Sequence, residues 1–142
     1  MKSYCREKQF DKLKVQVYPN RDEMGKAAAG SVAARIREII GQKGEIRIVF
    51  ASAPSQLDFL NYLCEAPGID WSKVTAFHQD EYMGASMEDE YSFARFIKEQ
   101  VADKAHPGKF HYMNGKNADI EGECKRYAAL ISEKPIDIVC LG

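Results

Sequence analysis

The sequence has no apolar run long enough to cross a bilayer, no closely spaced cysteines and no excess of either charge. Each absence removes a class of function. A membrane-spanning helix needs about 20 consecutive apolar residues, and no segment approaches that. The 4 cysteines, Cys5, Cys64, Cys124 and Cys140, are too far apart in sequence for a zinc knuckle or a redox dithiol. They are expected to be reduced thiols acting as small hydrophobes in a cytoplasmic protein. Lysine and arginine total 20 against 21 aspartate and glutamate, which leaves no basic footprint for nucleic acid or an anionic membrane. Neither is expected as a partner, and any anionic ligand must be held by local groups. The opening stretch MKSYCREKQF has charges without a following apolar run, so it does not read as a secretory signal. Histidine is scarce, with 3 in the chain. No second His or Cys stands at ligand spacing from His78, so no metal site is expected.

What is present is 45% hydrophobic and 29% charged in 142 residues, the composition of an ordinary globular protein and a length suited to one domain over residues 1–142. LKVQVY at 13–18 alternates apolar and polar residues, the period of a half-buried strand, and Pro19–Asn20 breaks it. From Asp22 to Ile40 the apolar residues Met24, Ala28, Val32, Ile36 and Ile39 recur at helical spacing. Asn20 and Glu23 stand at capping-box separation, and Gly41 is the expected stop. IRIVFA at 46–51 reads as a strand covered on both faces, followed by a helix with Leu57, Leu60 and Leu63 on one side and Pro67–Gly68 at its end. Val74–His78 is the next strand. Residues 90–104 form a helix with Phe93, Phe96, Ile97 and Val101 on one face, stopped by His106–Pro107–Gly108. Trp71 and these phenylalanines read as core. A short strand at 110–113, a helix marked by Ile120, Cys124, Tyr127 and Ile131, and a buried strand IDIVCLG at 136–142 complete the series.

Strands alternating with helices predict an α/β fold of three layers: a mostly parallel sheet with helices on both faces, Rossmann-like. In such sheets ligands bind beyond the carboxyl ends of the strands. The chain stops at Gly142, where a loop of that kind should begin, so the expectation is the N-terminal portion of a longer domain.

Chemistry should therefore gather at ASAPSQ (51–56), HQDEYMG (78–84) and the final LG. The first joins a strand to a helix and offers Ser52 and Ser55 beside free backbone N–H groups, a natural anion site. Plain helix capping by Ser52 or Ser55, with Asp58 completing a capping box, is the competing reading and the better supported one at any single helix. Asp80 and Glu81 are adjacent, so in an extended segment they face opposite sides and cannot form a close dyad. A carboxylate at a partly dry strand end makes a general base, whereas an arbitrary acid pair is more often solvated or a cap. Tyr82 and Gly84 suggest a tight turn that packs an aromatic ring.

IRIVFASAPSQLDFLNYL, IDWSKVTAFHQDEYMG, SFARF at 92–96 and the final IDIVCLG together resemble the N-terminal part of the glucosamine-6-phosphate deaminase/isomerase family, which includes 6-phosphogluconolactonase relatives. The combination of DWSKV, Phe77 and DEYxG is the most specific part. The resemblance implies conversion of glucosamine 6-phosphate to fructose 6-phosphate and ammonia without a cofactor. It implies that Asp80 moves a proton between C2 and C1 of the opened sugar through an enolamine, with Glu81 and Tyr82 in support. It assigns the sugar phosphate to the loop Ser52–Ala53–Ser55, and a homo-oligomer is expected. Tyr82 and Gly84 side with the deaminase branch. Relative to the family loop, Ala53 replaces a glycine, Pro54 removes a donor and Gln56 replaces a proline, while Phe93 stands for a tyrosine. The Asp, His and Glu that follow the last strand in the family are not in this sequence, so the chain alone is expected to be inactive. The alternatives are a sugar-phosphate-binding or catalytically silent relative, or a lactonase.

Overall fold

Ile46–Phe50 is the most deeply covered strand of the molecule, buried at every position, and the rest is arranged around it. The computed structural model describes residues 4–142; the first three residues of the stretch read above as lacking a signal lie outside it. In chain order the elements are β1 (Arg6–Phe10), β2 (Leu13–Val17), α1 (Arg21–Lys43), β3 (Ile46–Phe50), a 3-10 turn (Pro54–Gln56), α2 (Leu57–Glu65), β4 (Val74–His78) and α3 (Phe93–Ile97). A π-helical turn (Lys98–Ala102) then leads to α4 (Asp103–Ala105), β5 (Lys109–His111), α5 (Ile120–Ser132) and β6 (Ile138–Val139).

Four strands form one parallel sheet in the order β5-β4-β3-β6. Because side chains alternate along a strand, Ile46, Ile48 and Phe50 of β3 face α1 and α2, joined there by Leu60, Leu63, Val74, Ala76 and Ile97. Val49 and Phe77 face the other way, onto Tyr127, Leu130 and Ile131 of α5. Helices therefore cover both faces, as the α/β reading requires.

Two features depart from the sequence expectation. LKVQV is a strand, but it is mostly exposed rather than half-buried. It pairs antiparallel with β1 in a separate hairpin instead of joining the parallel sheet. The last strand is short and covered on one face alone: Ile138 and Cys140 pack on the core, while Val139 is 53% and Leu141 75% exposed. Of the final stretch, Cys140 alone is buried.

Helix α1 also differs in detail. Asn20 caps it, its side chain accepting the Glu23 N–H at 2.9 Å. It ends at Gly44 in the left-handed region (φ 78°), one turn beyond the expected Gly41. Its buried stripe is Gly25, Ala29, Ala33, Ile36 and Ile39, while Met24 is 47% exposed. The small residues win because α2 crosses so closely that a Cβ on Gly25 would lie 2.8 Å from the Asp58 Cβ. Met24 and Ala28 turn instead toward a groove of about 460 Å³ shared with Ile138 to Gly142, whose wall also includes Val32 at the edge of the core.

On the α5 face, Arg47 is buried on β3. Its guanidinium donates to the carbonyls of Leu130, Ile131 and Lys134, so a cation satisfies the otherwise orphaned end of α5. It also lies 4.9 Å from the Phe77 ring centroid.

Candidate active site

β3 and β4 pair in register, Phe50 opposite His78. Ser52 and Asp80 each lie two residues beyond the end of their strand, so both loops leave the same edge of the sheet. The third strand end arrives there too. The Cys140 N–H donates to the Val49 carbonyl at 2.8 Å. The Gln56 side chain donates to the Leu141 carbonyl at 3.1 Å and the Gln79 side chain to the Cys140 carbonyl at 3.3 Å. Two amide side chains thus tie the three strand ends into one rim.

On the first loop the capping reading of the serines does not hold. Ser52 is buried, and its hydroxyl donates to the Phe93 carbonyl at 3.1 Å rather than capping a helix. Ser55 is exposed on the 3-10 turn, which has no side-chain cap at all. Asp58 does not complete a capping box; it pairs with Arg21, whose guanidinium also donates to the Pro54 carbonyl at 2.6 Å. Arg21 is a cation that sequence inspection missed, because 33 residues separate it from the carbonyl it holds.

On the second loop the two acids part company. Asp80 is exposed to solvent, so the partly dry setting expected for it is absent in this chain. Glu81 turns to the start of α3. Its Oε1 accepts the N–H groups of Tyr82 (2.9 Å) and Phe93 (3.0 Å), and its Oε2 accepts the Ser92 hydroxyl (2.7 Å) and the Ala94 N–H (2.9 Å). Partial burial pushes the Glu81 pKa up, but the hydrogen bonds from Ala94, Ser92, Tyr82 and Phe93 outweigh it and hold the carboxyl below its ordinary value. The Tyr82 ring is 52% exposed and lies 4.7 Å from that of Phe93. Gly84, at φ 88°, closes the turn and donates its N–H to the Gly115 carbonyl at 2.7 Å. Any Cβ on Gly115 would collide with the carbonyls of Tyr82 and Ala85, so the Asn114–Gly115 turn seats the acid loop from below.

His78 is fully buried at the end of β4. Its Nε2 accepts the Met113 N–H at 3.0 Å, which puts the ring hydrogen on Nδ1. Nδ1 has no hydrogen-bond partner among the described residues. Desolvation lowers its pKa, opposed by the nearby Asp80 backbone and the charges of Glu81 and Asp80. The imidazole is a neutral structural group.

A parallel α/β sheet with an acid loop and a serine-bearing loop on one carboxyl edge defines a class of ligand-binding α/β proteins. Comparison with known proteins narrows it. Residues 19–142 match the family model described as glucosamine-6-phosphate isomerases/6-phosphogluconolactonase. Glucosamine-6-phosphate deaminase of Streptococcus pyogenes serotype M3 is 34% identical over 114 residues, 80% of this chain and 48% of that protein. The deaminase of Lactobacillus delbrueckii subsp. bulgaricus is 30% identical over 131 residues, 92% of this chain and 53% of that protein. Among solved structures, a 6-phosphogluconolactonase from Shewanella baltica superposes with a TM-score of 0.76 at 21% identity, covering 86% of this chain and 53% of its own. A monomeric glucosamine-6-phosphate deaminase gives 0.71 at 22% identity, covering 79% and 47%. The chain belongs to the glucosamine-6-phosphate isomerase/6-phosphogluconolactonase family, and it spans about half the length of the curated relatives it matches.

Proposed function

We propose that the full-length protein is an amino-sugar-phosphate deaminase/isomerase, converting glucosamine 6-phosphate to fructose 6-phosphate and ammonia. Asp80 is the proton carrier. Once C1 of the opened sugar is an aldehyde, the C2 proton is acidic enough for one carboxylate to move it to C1 through an enolamine, which leaves an imine at C2; water adds to that imine, the C2–N bond breaks, and the ketone and ammonia are released. The observation that carries this reading is the register of β3 against β4, which supports a sugar spanning Ser52 and Asp80. The deaminase relatives at 30–34% identity favour it over lactone hydrolysis. The loop Ser52–Ala53–Ser55 receives the phosphate through backbone N–H groups and the exposed Ser55 hydroxyl, because the Ser52 proton is already donated to Phe93. One domain over the chain, a cytoplasmic location suited to free thiols, and a homo-oligomer belong to the same proposal.

Ammonia release from glucosamine 6-phosphate tests it. The full-length protein turns over, and Asp80→Asn lowers kcat by on the order of 10²–10⁴-fold; equal rates in the two overturn the assignment. A second reading, a sugar-phosphate binder without turnover, is favoured by the exposure of Asp80 and the missing donor at Pro54. Calorimetric binding of the sugar phosphate with no ammonia selects it.

A further inference from the structure

Asp80 is an exposed carboxylate whose neighbours are all fastened. Two residues before it, the His78 N–H donates to the Tyr127 hydroxyl at 2.9 Å, that hydroxyl lies 2.9 Å from the His78 carbonyl, and the ring accepts the Met113 N–H. One residue before it, the Gln79 side chain holds the Cys140 carbonyl. One residue after it, Glu81 takes four donors from Tyr82, Ser92, Phe93 and Ala94.

The Glu81 contacts reach further than its own loop. Ser92 is buried, and its oxygen also accepts the Arg95 N–H at 3.1 Å, so the hydroxyl that serves Glu81 is itself fixed in direction. Phe93, whose N–H goes to Glu81, receives the Ser52 hydroxyl on its carbonyl. A continuous chain of hydrogen bonds therefore runs from the serine loop through the start of α3 to the residue beside Asp80. Glu81 cannot take up a proton without giving up one of the donors that face it, whereas the Asp80 carboxylate accepts no hydrogen bond among the described residues.

We propose that Glu81 is a positioning residue that holds the Asp80 backbone at a fixed place relative to the Ser52 loop, leaving Asp80 as the carboxylate of the pair that can exchange a proton. This rests on the deaminase reading for its catalytic consequence, and on geometry alone for its mechanical one. Removing the clamp lets the Asp80 Cα drift, and a displacement of about 1 Å at a reacting group costs on the order of 10²-fold in rate.

The test uses the full-length protein with glucosamine 6-phosphate, together with backbone relaxation measurements at Asp80. In Glu81→Gln the amide NH2 faces donors that need an acceptor, and kcat falls on the order of 10²-fold while KM stays nearly constant, because the phosphate is bound on the other loop. The order parameter of the Asp80 N–H drops from about 0.85 to below about 0.6. Ser92→Ala, which leaves the carboxylate in place, shifts both readouts in the same direction by less, and Ser92→Thr, which keeps a hydroxyl, restores them. Should Glu81→Gln fail to fold, the Ser92 pair carries the test. Wild-type kcat in Glu81→Gln and Ser92→Ala while Asp80→Asn is inactive overturns the positioning role and leaves the deaminase reading standing. Turnover by Asp80→Asn at the wild-type rate overturns the deaminase reading; the relaxation data then decide the clamp, and an unchanged Asp80 order parameter ends it.

Discussion

The two neighbours of β3 in the sheet are built to different standards. β4 is covered on both faces and its end is fastened by His78, Gln79 and Glu81. β6 is two residues long, with Val139 and Leu141 exposed beside the groove formed by Met24, Ala28 and Val32 of α1. The candidate chemistry sits on the β4 side. A proton carrier has to stay within a fraction of an ångström of its target, and the fully packed side of a sheet is where backbone positions are held that tightly. On the β6 side Cys140 and Ile138 join the core while Val139 and Leu141 remain exposed.

The contrast can be broken or sharpened experimentally. Leu60→Ala, in the shared core beneath β3 and β4, costs about 2–5 kcal/mol of unfolding free energy, read from the denaturant midpoint. Arg47→Ala leaves the carbonyls of Leu130, Ile131 and Lys134 without their donor. It costs about 3 kcal/mol, and the loss shows first as faster amide exchange in α5. Acid should weaken the α5 side through Glu123. The Arg126 hydrogen bond leads in holding its pKa down to about 2, against desolvation and with help from the Asn114 N–H. A depressed carboxyl contributes stability that is complete above its unfolded pKa near 4.5 and is lost as pH falls toward about 2. The expected result is a thermal midpoint that drops over that window and drops less in Glu123→Gln. Buried His78, its pKa lowered by desolvation, adds a loss that begins as pH falls below about 6.5. Leu141→Ser, on the uncovered side, changes stability by less than about 0.5 kcal/mol. A loss as large as that of Leu60→Ala would mean the β6 side is as well packed as β4 and would remove the contrast.

The main elements were legible because their signals are local. IRIVF is apolar without interruption, and Val74–His78 and the stripe of Leu60 and Leu63 follow equally short-range patterns. β1 was not legible: REKQF has neither period nor apolar run, and it becomes a strand by pairing with LKVQV. The start of α3 at Phe93 rather than 90 follows from Ser92 acting as its cap. Of the site, the acid pair and the serine loop could be picked out by residue type and position after strands. Their partners could not, because Glu81 meets Ser92, Phe93 and Ala94 at separations of 11 to 13 residues and Ser52 meets Phe93 at 41.

What the sequence determined by itself was the alternation of strands and helices, and hence a parallel sheet whose acid-bearing and serine-bearing loops leave its carboxyl edge. Periodicity acts over a few residues, so it can be read without knowing the fold. Only the tertiary structure decided which acid of the Asp80–Glu81 pair is exposed and which is hydrogen-bonded to the start of α3. Adjacent residues of one chemical type differ solely in what the folded chain brings against them, and that depends on hydrogen-bond donors contributed from distant positions.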